Sequence, residues 1–310
     1  MNRYLPEGSL IGTRENREYV SSLSGLERAM GDGRILEGVA VSCDKELNIT
    51  VDLYGIKGII PKNEVLYSDE GPKDIAVITR VGKAVAFKVI GFERDAGGSI
   101  VPVLSRRMAQ AECMQKFIGA LTEGDIIDAK VTHLEQFGAF VDVGCGIVSL
   151  LCIDCISVSR ISHPKIRLSV GMQIKAVVKS IDRDTGRLYV THKELLGTWR
   201  ENAERFHIGQ TVSGVVRSIE EYGVFIELTP NLAGLGELVD GISVGDTVAV
   251  YIKNIIPERM KIKLVIIDAC KSEELRRDFE YFINDTEHID RWVYSPEESR
   301  RIVETVFDGE

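Results

Sequence analysis

The segment Phe137-Gly138-Ala139-Phe140-Val141-Asp142 decides the fold prediction for this chain, because a second copy follows about 85 residues later. That copy is Tyr222-Gly223-Val224-Phe225-Ile226-Glu227, with the same order of aromatic, glycine, small residue, Phe, aliphatic residue and acid. Each copy follows a β-type run that opens with a glycine, at Gly124 and at Gly209. A repeat at this spacing indicates a repeated structural module.

Length and composition are those of an ordinary globular protein. The 310 residues are 44% hydrophobic and 27% charged, which suits two or three small cores. No apolar run approaches the roughly 20 residues that span a bilayer, and residues 1–6 lack the layout of a signal peptide. We therefore expect a cytoplasmic protein with no membrane partner and with reduced cysteines.

The net charge of −9 argues at first sight against a nucleic-acid partner, but the charge is unevenly distributed. Residues 271–310 contain 6 Lys/Arg and 12 Asp/Glu, whereas residues 120–195 contain 9 of each. Binding to a phosphate chain depends on the local face rather than on the total charge. Because no stretch is strongly basic, we expect nucleic-acid binding of moderate affinity.

Short apolar runs broken by turn residues predict three sets of strands. The clearest set predicts strands near residues 126–134, 137–143, 147–153, 172–182 and 186–192. Five short strands repeated three times predict small closed barrels, because closure removes the exposed edges of a sheet.

Helical patterns flank and separate the strand sets. Tyr19, Leu23, Leu26 and Met30 recur at steps of three or four and predict one short N-terminal helix. Near the other end, Ser295-Pro296-Glu297-Glu298 has the composition of a helix start. The predicted domains are an N-terminal extension (1–32), a barrel (33–107), a helical linker (108–121), a barrel (122–195), a helical linker (196–208), a barrel (209–268) and an acidic helical tail (269–310).

Residues 122–195 resemble the S1-type RNA-binding domain of the bacterial ribosomal protein S1 family. Four blocks in the same order carry the resemblance: Phe137 to Asp142, Val158 to Pro164, Val170-Gly171, and Ile181-Asp182 leading to Gly186-Arg187-Leu188. Residues 209–266 resemble a second copy, and residues 33–107 a divergent first copy. The resemblance implies a mainly β protein with three tandem five-stranded oligonucleotide-binding (OB) barrels.

The resemblance also implies a binding face for single-stranded RNA. In that family the face has two aromatics from the second strand, a His after the third, and an Asp and an Arg near the fifth. The matching residues are Phe137, Phe140, Asp182 and Arg187 in the second domain, and Tyr222, Phe225 and Lys261 in the third.

Both matching domains depart from the family at the His position, which falls on Cys152 in the second domain and near Gly236 in the third. The first domain departs further, because Asp44-Lys45-Glu46-Leu47 replaces the aromatic motif. We therefore expect the first barrel to bind RNA poorly and to dock on a protein instead.

Stacking of aromatic side chains on bases contributes about 1–3 kcal/mol per base, which favours a binding role for Phe137 and Phe140. Strand alternation sets Phe140 and Asp142 on the face opposite Ala139 and Val141. The glycine between the aromatics is expected to let backbone and ligand approach closely. The alternative is that both Phe side chains pack under a loop.

Other candidate residues have equally ordinary alternatives. Asp182 and Arg187 contact RNA, or they are a turn acid and an exposed strand base. Arg160 and His163 lie in the long loop after the third strand, where they either border the RNA groove or only stabilise the loop. Asp182 and Asp184 are interpreted as solvated turn acids rather than catalytic residues.

Cys145, Cys152 and Cys155, with His163, raise the alternative of a zinc site. A second Cys pair is missing, and Cys145 and Cys152 flank a predicted strand of about 20 Å, so we expect free thiols instead. The sequence also has no phosphate-binding glycine loop, zinc-protease motif or nucleophile elbow. We therefore predict no metal, no cofactor and no catalytic site.

The sequence predicts a non-catalytic protein that binds single-stranded RNA such as mRNA. Its expected setting is translation, as an S1-like protein of the small ribosomal subunit. The alternative is an adaptor between proteins, on the ribosome or in an RNA-processing complex, which the acidic tail and the divergent first barrel favour. An enzyme with accessory barrels has little support, because no region is left for a catalytic domain.

Overall fold

The computed structural model describes residues 4–68, 71–183, 186–270, 279–283 and 285–307. The chain forms two compact units. The first comprises Met1–Leu121, Asp128–Lys130 and Val141–Val148, and the second comprises Thr122–Ile127, Val131–Phe140 and Ser149–Glu310. Within the described residues, no helix is long and apolar enough to cross a membrane.

Three closed five-stranded barrels account for most of the fold, so the predicted mainly β architecture is confirmed. Barrel 1 contains β1 (Leu36–Cys43), β2 (Ile49–Leu53), β3 (Ile56–Ile60), β4 (Ala84–Arg94) and β5 (Ile100–Ser105). Barrel 2 contains β6 (Ile126–Glu135), β7 (Gly138–Gly144), β8 (Ile147–Cys152), β9 (Gln173–Asp182) and β10 (Arg187–Thr191). Barrel 3 contains β11 (Thr211–Glu220), β12 (Gly223–Thr229), β13 (Leu232–Gly236), β14 (Thr247–Ile256) and β15 (Lys261–Cys270).

The three barrels share one strand order. In barrel 1 the order is β1-β2-β3-β5-β4, and the corresponding strands of barrels 2 and 3 follow the same circuit. The third and fifth strands of each barrel pair in parallel, at Ile59 with Val103, Leu150 with Tyr189, and Leu235 with Lys263. Inward-pointing aliphatic side chains fill each barrel, as alternation along the strands predicts.

Two N-terminal helices replace the single predicted one: α1 (Arg14–Val20) and α2 (Leu23–Gly31). The chain breaks between them because the Ser22 side chain accepts a hydrogen bond from the Gly25 amide and caps α2.

Among the described residues, three further α-helices lie between strands. α3 (Asp74–Ile78) lies between β3 and β4, α4 (Arg106–Lys116) follows barrel 1, and α5 (Trp199–Ala203) follows barrel 2. Thr198 and Glu201 form a reciprocal capping box at the start of α5.

The predicted helix at Ser295 is wrong. The described residues near it form a two-stranded sheet of β16 (Arg291–Val293) and β17 (Glu304–Val306). The Ser295 hydroxyl accepts a hydrogen bond from the Val303 amide across this hairpin, at 3.1 Å, instead of capping a helix. Trp292 and Tyr294 are buried in the core of barrel 3. Residues 271–278, 284 and 308–310 of the predicted tail lie outside the described residues.

Candidate RNA-binding site

Phe137 and Phe140 form an aromatic pair on the outside of barrel 2. Phe137 lies in the turn before β7 and is 55% exposed, while Phe140 is half-buried within β7. Ala139 and Val141 on either side of Phe140 are buried in the barrel, so Phe140 faces outward as alternation predicts. The two ring centroids are 6.1 Å apart and the rings are perpendicular.

Barrel 3 repeats this pair. Tyr222 is 70% exposed, Phe225 is half-buried in β12, and their centroids are 6.1 Å apart with an interplanar angle of 90°. Two copies that differ in the first aromatic residue therefore build the same surface. The alternative of two aromatic rings packed under a loop does not describe Phe137 or Tyr222, which are both exposed.

The glycine between the aromatics lets two strands of the barrel approach closely. A Cβ atom on Gly138 would lie 2.5 Å from the Leu151 carbonyl oxygen, and one on Gly223 would lie 2.5 Å from that of Gly236. These oxygens belong to the neighbouring strands β8 and β13. The motif therefore requires glycine because two strands approach closely, a reason that the sequence did not indicate.

His133 is a third aromatic side chain at this surface and was not predicted. Its ring lies 6.4 Å from that of Phe140 with an interplanar angle of 24°, and its Nε2 is 2.7 Å from Glu135 Oε1. In barrel 3 the same repeat position is Ser218, which pairs with Phe225 after a β-bulge. The bulge explains why strict alternation misses this position.

The fifth strand of each barrel adds outward-facing side chains to the surface that carries the aromatic pair. In barrel 3, Phe225 pairs with Leu235, and Leu235 pairs with Lys263. Lys263 therefore lies two strands from Phe225, at about 10 Å from the usual strand spacing. In barrel 2 the residue at this position is Tyr189, which pairs with Leu150. Counting by alternation along the fifth strand from Arg187 and Lys261 could have identified Tyr189 and Lys263 as outward-facing residues.

The structure brings Asp182 and Arg187 together and leaves Lys261 on the corresponding strand of barrel 3. Asp182 and Arg187 are directly opposite residues of β9 and β10, and Arg187 is exposed. Lys261 is exposed and lies opposite Ile256 in the equivalent hairpin. Asp184, interpreted above as a turn acid, lies outside the described residues.

Arg160 and His163 lie in a loop that packs on barrel 3. The Ser159 amide donates to the Pro230 carbonyl and the Val158 amide to Asn231 Oδ1, both at 3.0 Å. His163 Nδ1 accepts a hydrogen bond from the Lys165 amide at 3.0 Å and so caps a short 3-10 turn. This contact favours the structural alternative for His163, whereas Arg160 is exposed.

The acids that end the two motifs are buried, although alternation placed Asp142 on the outer face. Asp142 accepts hydrogen bonds from the amides of Glu7, Gly144 and Gly146 at 2.7–3.0 Å. Burial raises the pKa of Asp142 to about 7. Glu227 lies between Arg167 and Arg217, with all three side chains at least nine-tenths buried.

Barrel 1 has no aromatic pair at the equivalent place. Thr50 takes the position of Phe225, since Thr50 pairs with Ser42 and Ile59 as Phe225 pairs with Ser218 and Leu235. Val103 then takes the position of Lys263. At these positions of its second, third and fifth strands, barrel 1 therefore has neither a stacking ring nor a positive charge.

The cysteines do not form the alternative zinc site. Cys145 is hydrogen-bonded to Cys113, and this bond together with burial raises the pKa of its thiol. Lys179 Nζ lies 3.3 Å from the Cys155 sulfur, and burial raises the pKa of Cys152. Across the described part of the chain, no three His, Cys, Asp or Glu side chains are grouped so that they could hold a metal ion.

The fold and the two aromatic surfaces define a tandem OB-type barrel protein. Residues 120–193 match the model of the S1 RNA binding domain family. The chain is similar to the small ribosomal subunit protein bS1 of Staphylococcus aureus, with 33% identity over 74% of this chain and 57% of that protein. The bS1 protein of Rhodopseudomonas palustris is 30% identical over 74% of this chain and 40% of its own length. The resemblance to ribosomal protein S1 is confirmed.

These matches are partial in length, because the chain spans about half of the curated relatives it matches. Among solved structures, a multidomain protein with nucleic acid binding domains from Streptococcus pneumoniae is 13% identical, with a TM-score of 0.25. That match covers 76% of this chain and 73% of the other. A TM-score this low has no bearing on function.

Proposed function

We propose that this chain binds single-stranded RNA such as mRNA through barrels 2 and 3, without catalysis, as an S1-like protein in translation. The geometry shared by Phe137–Phe140 and Tyr222–Phe225 is the observation that carries the proposal. The S1 domain match and the likeness to bS1 proteins support RNA as the ligand and the ribosome, hence the cytoplasm, as the setting. The proposed barrel limits are 33–107, 122–195 and 209–268.

The proposed mechanism is stacking assisted by charge. Each aromatic pair, Phe137–Phe140 or Tyr222–Phe225, is called a platform below and has an exposed ring and a half-buried ring at right angles. An RNA strand must therefore turn as consecutive bases stack on both rings. Arg187 and Lys261 meet the phosphates or base edges beside the rings. Two tethered platforms bind one strand more tightly than either alone, because the second contact is intramolecular.

The test replaces one half-buried ring in each barrel. Phe140→Ala and Phe225→Ala should each weaken binding of a fluorescent single-stranded oligonucleotide by roughly 5- to 150-fold, equivalent to about 1–3 kcal/mol. The double variant should bind more weakly than either. Tyr67→Ala, at a residue 51% exposed and outside both platforms, serves as the control. Circular dichroism checks folding, and unchanged binding in all three folded variants would disprove the proposed site.

Barrel 1 supports a second role as an adaptor. No stacking ring is found at the positions of barrel 1 that match the aromatic surface, which are Ser42, Thr50, Ile59 and Val103. In α3, Ile75 and Ile78 are 66% and 49% exposed. We propose that this barrel contacts a protein of the ribosome or of an RNA-processing complex. The variant Ile75→Asp/Ile78→Asp should then lose cosedimentation with small ribosomal subunits and keep its affinity for free oligonucleotide; retained cosedimentation would argue against the ribosomal partner.

A further inference from the structure

The outer face of barrel 3 has a group of three lysines, whereas barrel 2 has a base at only two of the three matching positions, Lys179 and Arg187. Lys261 and Lys263 alternate along β15 and are exposed, and Lys263 pairs with Asn254 of β14. Lys253, the neighbour of Asn254, lies at a bulge and is also exposed. In the described part of the chain, none of these three lysines is in an ion pair with a carboxylate. Their charges are therefore available to a ligand.

Barrel 2 has rings at two positions where barrel 3 has none. Tyr189 occupies the place of Lys263, with Leu188 and Val190 buried on either side, so the half-buried Tyr189 faces outward. His133 occupies the place of Ser218 and lies nearly parallel to Phe140. On β10, Arg187 is exposed and Asp182 is directly opposite it. Lys179, at the bulge of β9, matches Lys253, so this face has two bases and one acid beside four rings, where barrel 3 has three lysines beside two rings.

The two faces suit different parts of a nucleic-acid strand. Aromatic rings stack on bases and are indifferent to phosphate charge, so their contribution varies little with salt. Ammonium groups are compact point charges that pair with phosphate and release condensed counterions, so their contribution falls as salt rises. Strand register, not overall composition, places these side chains beside the aromatic pairs.

We propose that the two platforms bind different chemical groups of the RNA strand. Barrel 2 binds bases with Phe137, Phe140, His133 and Tyr189. Barrel 3 binds backbone phosphate with Lys253, Lys261 and Lys263 beside Tyr222 and Phe225. The inference rests on the proposed function and specifies which chemical group of the RNA each barrel takes. Barrel 3 then carries the larger share of the salt dependence, and barrel 2 carries the larger share of the preference for strands that have bases.

The first experiment measures affinity for labelled oligouridylate across a KCl series. Lys253→Gln/Lys261→Gln/Lys263→Gln should flatten the plot of log K against log salt by about 2, at roughly 0.7 per lost phosphate contact on a single strand. His133→Ser/Tyr189→Ser should weaken binding at least about fivefold at every salt concentration and leave the slope unchanged. A matched control, Lys45→Gln/Lys57→Gln/Lys73→Gln, makes the same charge change at exposed lysines in the first unit.

The second experiment uses an abasic ribose-phosphate strand as the probe. The barrel 2 variant should bind it as the unaltered protein does, whereas the barrel 3 lysine variant should lose most of that binding. The inference is overturned if the lysine variant keeps the full salt slope, or if the barrel 2 variant flattens it. Failure of the proposed function itself looks different, because the unaltered protein would then bind no oligouridylate even at low salt.

Discussion

Glu227→Gln tests the buried ion cluster that joins the loop of barrel 2 to barrel 3. Glu227 Oε2 accepts from Arg217 Nε at 2.8 Å and from Arg167, and Arg217 Nη2 lies 3.1 Å from Oε1. The side chains of Arg167, Glu227 and Arg217 are only 6–7% exposed. Glutamine keeps the volume but removes the charge, so both buried guanidinium groups lose the carboxylate of Glu227. Breaking a buried pair in this way costs about 3–5 kcal/mol.

The two tryptophans of the chain make this loss measurable. Trp199 and Trp292 both pack in the core of barrel 3, with Val224 and Ile226, so tryptophan fluorescence follows the unfolding of that barrel. With a denaturant slope of about 2 kcal/mol/M, a loss of 3–5 kcal/mol lowers the urea midpoint by about 2 M. The assay is a urea titration at constant pH and salt.

Glu298→Gln is the matched control for Glu227→Gln. Glu298 pairs with Arg200 in the same unit, but both side chains are 48% exposed. Exposed ion pairs contribute little, so this variant should leave the midpoint nearly unchanged. If the two variants shift the midpoint equally, the reasoning from burial is refuted.

Two further predictions concern acid stability and the motif glycine. Burial lowers the pKa of His192 from 6.5 to about 4, so the free energy of unfolding should fall by up to about 3 kcal/mol as pH falls from 6.5 towards 4. His192→Gln should reduce this pH dependence of stability, measured by urea titrations at two pH values. An unchanged pH dependence would contradict the role of His192. Gly138→Ala should destabilise the protein by about 1–3 kcal/mol through the contact with Leu151. Gly91→Ala, where a Cβ would meet nothing within 4 Å, is the thermal-melt control, and an equal effect would contradict the clash.

The barrels and the aromatic pairs were predictable because local patterns determine them. Period-two alternation places Phe140 outward, and the repeat transfers that placement to Phe225. Long-range pairing determines what was missed. Ser295 has the composition of a helix cap, but its hydroxyl accepts from Val303 across a hairpin whose Trp292 is buried in barrel 3. No local signal specifies that packing.

His133 was missed for a different reason. Val131 points into barrel 2, so strict alternation sends residue 133 inward as well, yet His133 lies beside Phe140. The bulge next to Ser218 in the repeated copy shows how an extra residue returns the side chain to the outer face. Bulges are common in barrels, and a single sequence gives no clear sign of them.

The repeated motif therefore carries two separate tasks. Its aromatic residues face outward, where a strand of bases can reach them, while its final acid is covered by a neighbouring segment. Asp142 is covered by the N-terminal segment at Glu7, and Glu227 by the loop that carries Arg167. Asp52 takes the same position in barrel 1 and is exposed, with a hydrogen bond from the Gly55 amide. Barrel 1 thus lacks both the aromatic pair and the covered acid, which is consistent with a role different from RNA binding.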